Sequence, residues 1–112
     1  MTLQELFTDE SKWTKGASAR NEEGVLCPPH FSEARSWCLM GAINLCCRHD
    51  FDERKATIHA LKNAITGGRP NDLSTAIQEK NTPNEVVEIS RFNDSPETTF
   101  ADIRKVIEEA NV

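Results

Sequence analysis

Two Cys-x-x-His pairs, Cys27–His30 and Cys46–His49, are the residues of this 112-residue chain whose types and spacing most directly suggest chemistry. Thiolate and imidazole ligands at short spacing are usual in tetrahedral zinc sites. The chain between the pairs argues against a shared ion. Cys27 and His30 straddle Pro28 and Pro29, which aim the backbone instead of forming a ligand knuckle. The apolar stretch between the pairs, read as a helix, is about 20 Å long at its rise per residue. The expectation is therefore no stoichiometric zinc and no cofactor. A Cys–His nucleophile is the second reading, with Cys38 or Cys47 as thiolate and His30, His49 or His59 as base. A reactive thiol needs a partly exposed, electropositive setting, whereas Cys38 lies inside an apolar run where burial raises its pKa.

Asn93-Asp94 is the third constellation. Asn and Asp in a turn satisfy the backbone themselves, and that structural role is the simpler reading. The functional reading pairs the Asp94 charge, beside apolar Phe92, with Arg20. An Arg–carboxylate fork would join the two segments or line a pocket. The candidate ligand- or partner-binding residues are Arg20, Trp37, Asn93 and Asp94, with no catalytic residue and no metal ligand assigned. Gly67-Gly68 lacks the Lys-Ser or Lys-Thr of a phosphate loop, and no HExxH pattern occurs.

These residues must be positioned by the elements around Ser32–Asp50, the most apolar part of the chain. From Trp37 to Cys47 every residue but Asn44 is apolar or Gly, too short a run to span a bilayer. It predicts a buried central helix over 32–49, with Ser32 as its N-cap. Gly41-Ala42 leaves a notch where other backbone can approach. Before it, Gly16, Asn21, Gly24 and the two prolines break helical periodicity, so 13–29 is read as an extended arm or small hairpin turning at Asn21-Glu-Glu-Gly24 and anchored by Trp13. Thr2-x-x-Glu5 is a capping box for a short first helix ending near Asp9. Asp52 can cap a helix carrying Ile58, Leu61 and Ile65, stopped by Gly67-Gly68. A shorter helix holds Leu73, Ala76 and Ile77. Thr82-Pro-Asn-Glu85 starts another, although Val86, Val87 and Ile89 would also suit a strand. Asn93–Pro96 is a turn, and Thr98 or Thr99 caps the last helix, with Phe100, Ile103, Ile107 and Ala110 at helical spacing.

Composition sets the class. One core suffices at this length, so residues 1–112 form a single helical domain. The net charge of −5 is dispersed, and no basic stripe favours nucleic acid. The polar, acidic Thr2–Glu10 does not resemble a signal peptide, and no transmembrane span is expected. Three of the four cysteines lie in the apolar stretch, which fits reduced thiols in a cytoplasm.

The arm Trp13-x-x-Gly16-x-x-Ala19-Arg20 with Gly24, the segment Trp37-Cys-Leu-x-Gly-Ala42, the later Asn93-Asp94, a following Thr98 or Thr99 and Ala110 together resemble a family of small bacterial and phage proteins whose domain has no assigned function. Phe92 stands where the family pattern shows Trp. The resemblance implies a shared domain and a bacterial or phage setting, and it carries no reaction.

The reading is a mainly α-helical domain of about five helices around the 32–49 helix. Its expected function is a non-enzymatic interaction module, for example a phage accessory factor acting on a host protein. A small-ligand protein sequestering a nucleotide-type signal is the alternative, and a small hydrolase comes third. The expected partner is a protein, without membrane or direct nucleic-acid contact; an oligomer remains open. An apolar patch would mark a protein binder, a polar-rimmed pocket a ligand binder, and a titratable pair in a cleft an enzyme. If the thiols are reduced, the melting temperature will be the same with and without reductant; a large drop on adding reductant would reveal a disulfide.

Overall fold

The computed structural model describes residues 1–66 and 84–112. Those residues are mainly α-helical, with five helices and one two-stranded antiparallel sheet. Helix α1 (Leu3–Leu6) has the expected Thr2/Glu5 capping box, but it stops three residues early, and a 3-10 turn follows at Glu10–Lys12. Strand β1 (Ala19–Asn21) pairs with β2 (Ala34–Trp37). Helices α2 (Leu39–Cys46), α3 (Phe51–Ile65), α4 (Asn84–Asp94) and α5 (Phe100–Ala110) complete the order.

The helix expected over 32–49 is shorter than its apolar run suggested. Ala34–Trp37 is strand, and the helix begins at Leu39 with Cys38 rather than Ser32 as its N-cap. The reason lies in pairing. The Ala34 and Trp37 side chains are buried while Arg35 is exposed, and the backbone is claimed by β1 on one side and by Thr14 N–H, which donates to Trp37 O at 3.0 Å, on the other. What remains of the helix buries five consecutive residues, Leu39 to Ile43.

Of the two forms expected for the arm, extended or hairpin, residues 19–27 take the hairpin. Asn21 turns the chain, with Gly24 N donating to Asn21 O, and residues 25–27 fold back along β1 through Asn21 N→Val25 O and Cys27 N→Ala19 O. Gly24 has φ of 83°, a left-handed conformation that glycine adopts without strain. Residues 25–27 thus lie along the outer edge of the two-stranded sheet, joined to β1 through the isolated Arg20–Leu26 bridge. Gly41 explains how close the arm lies to α2. A Cβ placed there would sit 1.9 Å from Ser18 O, so only glycine admits the arm backbone.

Helix α3 packs on both α4 and α5, and α2 packs on α4. Asp50, not Asp52, caps α3. The segment at 84–94 is helix, which settles the helix-or-strand ambiguity left by its β-branched residues. Asn93 and Asp94 close that helix instead of forming a free turn. Thr99 caps α5 with Asp102 completing a capping box, while Thr98 is buried and donates to Phe92 O at 2.6 Å. Ile103, Val106 and Ile107 of α5 join Leu3, Phe7, Ile43, Leu61 and Ile89 in the core. Arg104 clamps α1 by donating to Gln4 O and Phe7 O. The helix expected around Leu73–Ile77, the Gly67-Gly68 stop and the Thr82-Pro83 start lie outside the described residues.

Gly41→Ala is expected to destabilise the fold by about 1–3 kcal/mol through overpacking, although alanine is the better helix former. Urea denaturation showing Gly41→Ala as stable as the parent would mean that the arm does not rest on α2.

Candidate functional site

The four candidate residues converge on one short turn, Thr14–Gly16. Thr14 N–H donates to Trp37 O at 3.0 Å, Asn93 Nδ2 donates to Thr14 O at 3.1 Å, and Arg20 Nε donates to Thr14 Oγ1 at 3.0 Å. Arg20 Nη2 reaches Lys15 O at 3.2 Å, and Gly16 N–H donates to Asp94 Oδ1 at 3.0 Å. The expected fork between Arg20 and Asp94 is not formed. Both side chains hold the same turn from different sides, and Arg20 is turned towards carbonyls and a hydroxyl, including Gly24 O at 3.0 Å. Thr14, which bonds Arg20, Asn93 and Trp37, carries no local sequence signal.

Asn93 is the centre of this arrangement and is 1% exposed. Its Oδ1 accepts from Trp13 Nε1 at 2.8 Å and from Leu39 N at 3.0 Å. Its Nδ2 donates to Thr14 O and, at 2.9 Å, to Asp94 Oδ1. A primary amide offers two donors and two acceptor positions, and here all four are used. Leu39 N is one of the donors that the start of a helix leaves without an internal partner. Cys38 supplies another acceptor, its Sγ taking Gly41 N–H at 3.2 Å, but sulfur is a weak one. Asn93 thus completes a helix cap from 54 residues away in sequence. Around it, the Trp13 ring meets Phe100 at 6.3 Å, and Lys15 Nζ lies 5.2 Å from the Trp13 centroid while donating to Ser95 O. The Trp37 indole donates to Pro29 O at 2.9 Å, tying down the far side of the arm.

Burial disfavours the thiolate at three of the four cysteines. Burial pushes the Cys38 thiol up, against the pull of the Gly41 and Met40 amides, and pushes Cys46 up to about 11. Burial also raises Cys47. All four cysteines are unpaired. Cys27 lies beside β1 while Cys46 closes α2, and among the described residues no three His, Cys, Asp or Glu side chains gather as a metal cage. No described helix is long and apolar enough to cross a membrane.

Two surface features remain. Val25 and Leu26 on the arm, and Phe31 just beyond it, stand 56%, 64% and 46% exposed. A groove of about 470 Å³ opens on the outer face of the sheet, between Lys12, Arg20 and Arg35. A second cavity of about 650 Å³ lies between α4 and the turn before α5; its wall runs to Thr66, where the described residues stop.

Residues 3–111 match the model of a family of unknown function, DUF6197. The chain belongs to this family. That agrees with the resemblance drawn from its Trp, Gly and Asn-Asp positions. No curated protein and no solved structure matches the chain.

Asn93→Ala is expected to cost about 3 kcal/mol, because it leaves the buried Leu39 N–H and the part-buried Trp13 indole N–H without acceptors. Trp13→Phe, which removes one of those donors, should cost about 1 kcal/mol, and the double variant should cost less than the two effects added. Denaturant unfolding that gave strict additivity would separate Trp13 from Asn93.

Proposed function

We propose that this DUF6197 member is a non-enzymatic interaction module that docks a protein partner through the outer edge of its arm. The observation that carries this is the exposure of Val25, Leu26 and Phe31 within seven residues of one another, on a segment whose backbone is otherwise firmly tied. Clustered exposed apolar side chains mark interaction surfaces, whereas scattered ones do not. The edge adds a directional element. The Asn21 N→Val25 O and Cys27 N→Ala19 O bonds flank the Arg20–Leu26 bridge, so the Leu26 backbone groups point away from β1. An extended segment of a partner could add to that edge, with main-chain bonds giving affinity and the apolar side chains giving specificity.

In this reading Arg20, Trp37, Asn93 and Asp94 position the arm, and their effect on a partner passes through it. The four unpaired cysteines support a reducing compartment, here the cytoplasm of a bacterial or phage-infected cell, where a phage accessory factor acting on a host protein would meet its target. The raised Cys38, Cys46 and Cys47 thiols favour this module over a cysteine hydrolase.

A photo-crosslinking residue placed at Leu26 in the native host should capture one protein, and the same residue at exposed Lys105 on α5 should not. Leu26→Asp combined with Phe31→Asp should abolish binding of the captured protein while changing stability by no more than about 0.5 kcal/mol, as for surface substitutions. Equal capture at both positions, or capture of only a second copy of this chain, would overturn the reading.

A further inference from the structure

The outer face of the sheet carries a concentration of positive charge that the chain as a whole does not predict. The protein has 13 Lys and Arg against 18 Asp and Glu. The groove walled by Ser11, Lys12, Arg20, Glu22, Arg35 and Ser36 nevertheless sets three cations against one carboxylate. A strand irregularity brings the two arginines to the same side. Arg20 pairs with Ser36 and Asn21 pairs with Ala34, so Arg35 is an extra residue in β2, bulged between two ordinary pairs. A bulge breaks the alternation of side chains and re-aims one of them. Burial along β2 shows the result, with Ala34 and Trp37 inward and both Arg35 and Ser36 outward.

Both guanidinium groups are held by neutral acceptors. Arg20 donates to Thr14 Oγ1, Gly24 O and Lys15 O, and Arg35 Nη1 donates to Ser32 O and Ala34 O at 2.7 and 3.0 Å. Among the described residues, Lys12, Arg20 and Arg35 form no ion pair, Glu22 included. Their orientation is therefore fixed without their charge being neutralised, and each guanidinium keeps N–H groups unused. Fixed forks of this kind match the tetrahedral oxygens of a phosphate, and one flanking hydroxyl, from Ser36, adds a neutral donor, whereas the Ser11 hydroxyl already donates to the Asp9 carboxylate. The groove volume is within the range of small-molecule sites.

We propose that this groove is an anion site for the phosphate group of a small molecule, with Arg20 and Arg35 as its forks, Lys12 as a supporting charge and Glu22 as the residue that limits affinity. It uses different side chains from the docking edge and stands or falls separately from it.

The test is a titration of the 15N-labelled chain with inorganic phosphate, against sodium chloride at equal ionic strength. Saturable shifts are expected at the Arg20 and Arg35 Nε–H signals and at the Ser36 amide, with the α3–α5 amides unmoved. Arg35→Ala should weaken binding about tenfold or more, Arg35→Lys should restore only part of it, and Glu22→Gln should tighten it. Arg20→Ala also loosens the Thr14 turn, so Arg35, whose bonds are local, provides the decisive variant. Adenosine monophosphate and adenosine identify the source of the phosphate. Monophosphate tighter than phosphate, with adenosine silent, assigns a nucleotide; monophosphate equal to phosphate assigns the phosphate group alone. Shifts no larger than those from chloride, an unchanged affinity in Arg35→Ala, or adenosine binding as tightly as its monophosphate would overturn the proposal.

Discussion

Two donors from different elements, the Trp13 indole and the Leu39 amide, meet on one acceptor, the side-chain oxygen of Asn93. Each would be costly to bury alone, since a buried donor without a partner loses its water and gains nothing in return. The amide nitrogen of the same residue then fixes Thr14. In this way one buried side chain joins the arm, the start of α2 and the end of α4. The geometry has little slack, because every donor and acceptor of that amide is committed. A half-satisfied network would be worse than an apolar contact, and a fully satisfied one specifies a single arrangement.

The arm depends on this junction for its shape. Its own strand pairs are few, and an isolated hairpin of such length is marginal in water. The hairpin is made secure from below by Gly41, which lets Ser18 rest on α2, and from the sides by Trp13 and Trp37, whose indole groups bond to Asn93 and to Pro29 O. The exposed apolar side chains and the cationic groove are both carried by this one rigid structure. Display of such groups on a fixed frame lowers the ordering cost of binding.

Much of this was legible in the sequence where the signal is local. The Thr2 cap, a cap at Thr98 or Thr99, the Asn21–Gly24 turn, the α5 periodicity and the meaning of Gly41 all depend on residues close together in the chain or on a single missing side chain. The helix start was misplaced because Ala34–Trp37 gains its strand form from β1 and Thr14, and hydrophobicity does not report such partners. Arg20 and Asp94 were singled out because their opposite charges suggested a fork, with Trp37 and Asn93 expected nearby. The detail differed because the turn between them, at Thr14, offers a hydroxyl, a carbonyl and an amide at once. Lys12 and Arg35 were missed for a similar reason. Two basic residues far apart in an acidic chain form no stripe until the 3-10 turn and the sheet bring them to one groove.

The bulge at Arg35 makes the charge of that face a matter of counting as well as of composition. With strict two-residue alternation, Arg35 and Ser36 could not both project to the same side. One residue removed from β2 would keep every cation in the chain and still take one of the two arginines off the face, or else slip the register and draw Trp37 out of the core. Length and charge are thereby locked together in this strand. A lineage could change the electrostatics of the groove by a single-residue deletion as surely as by replacing an arginine.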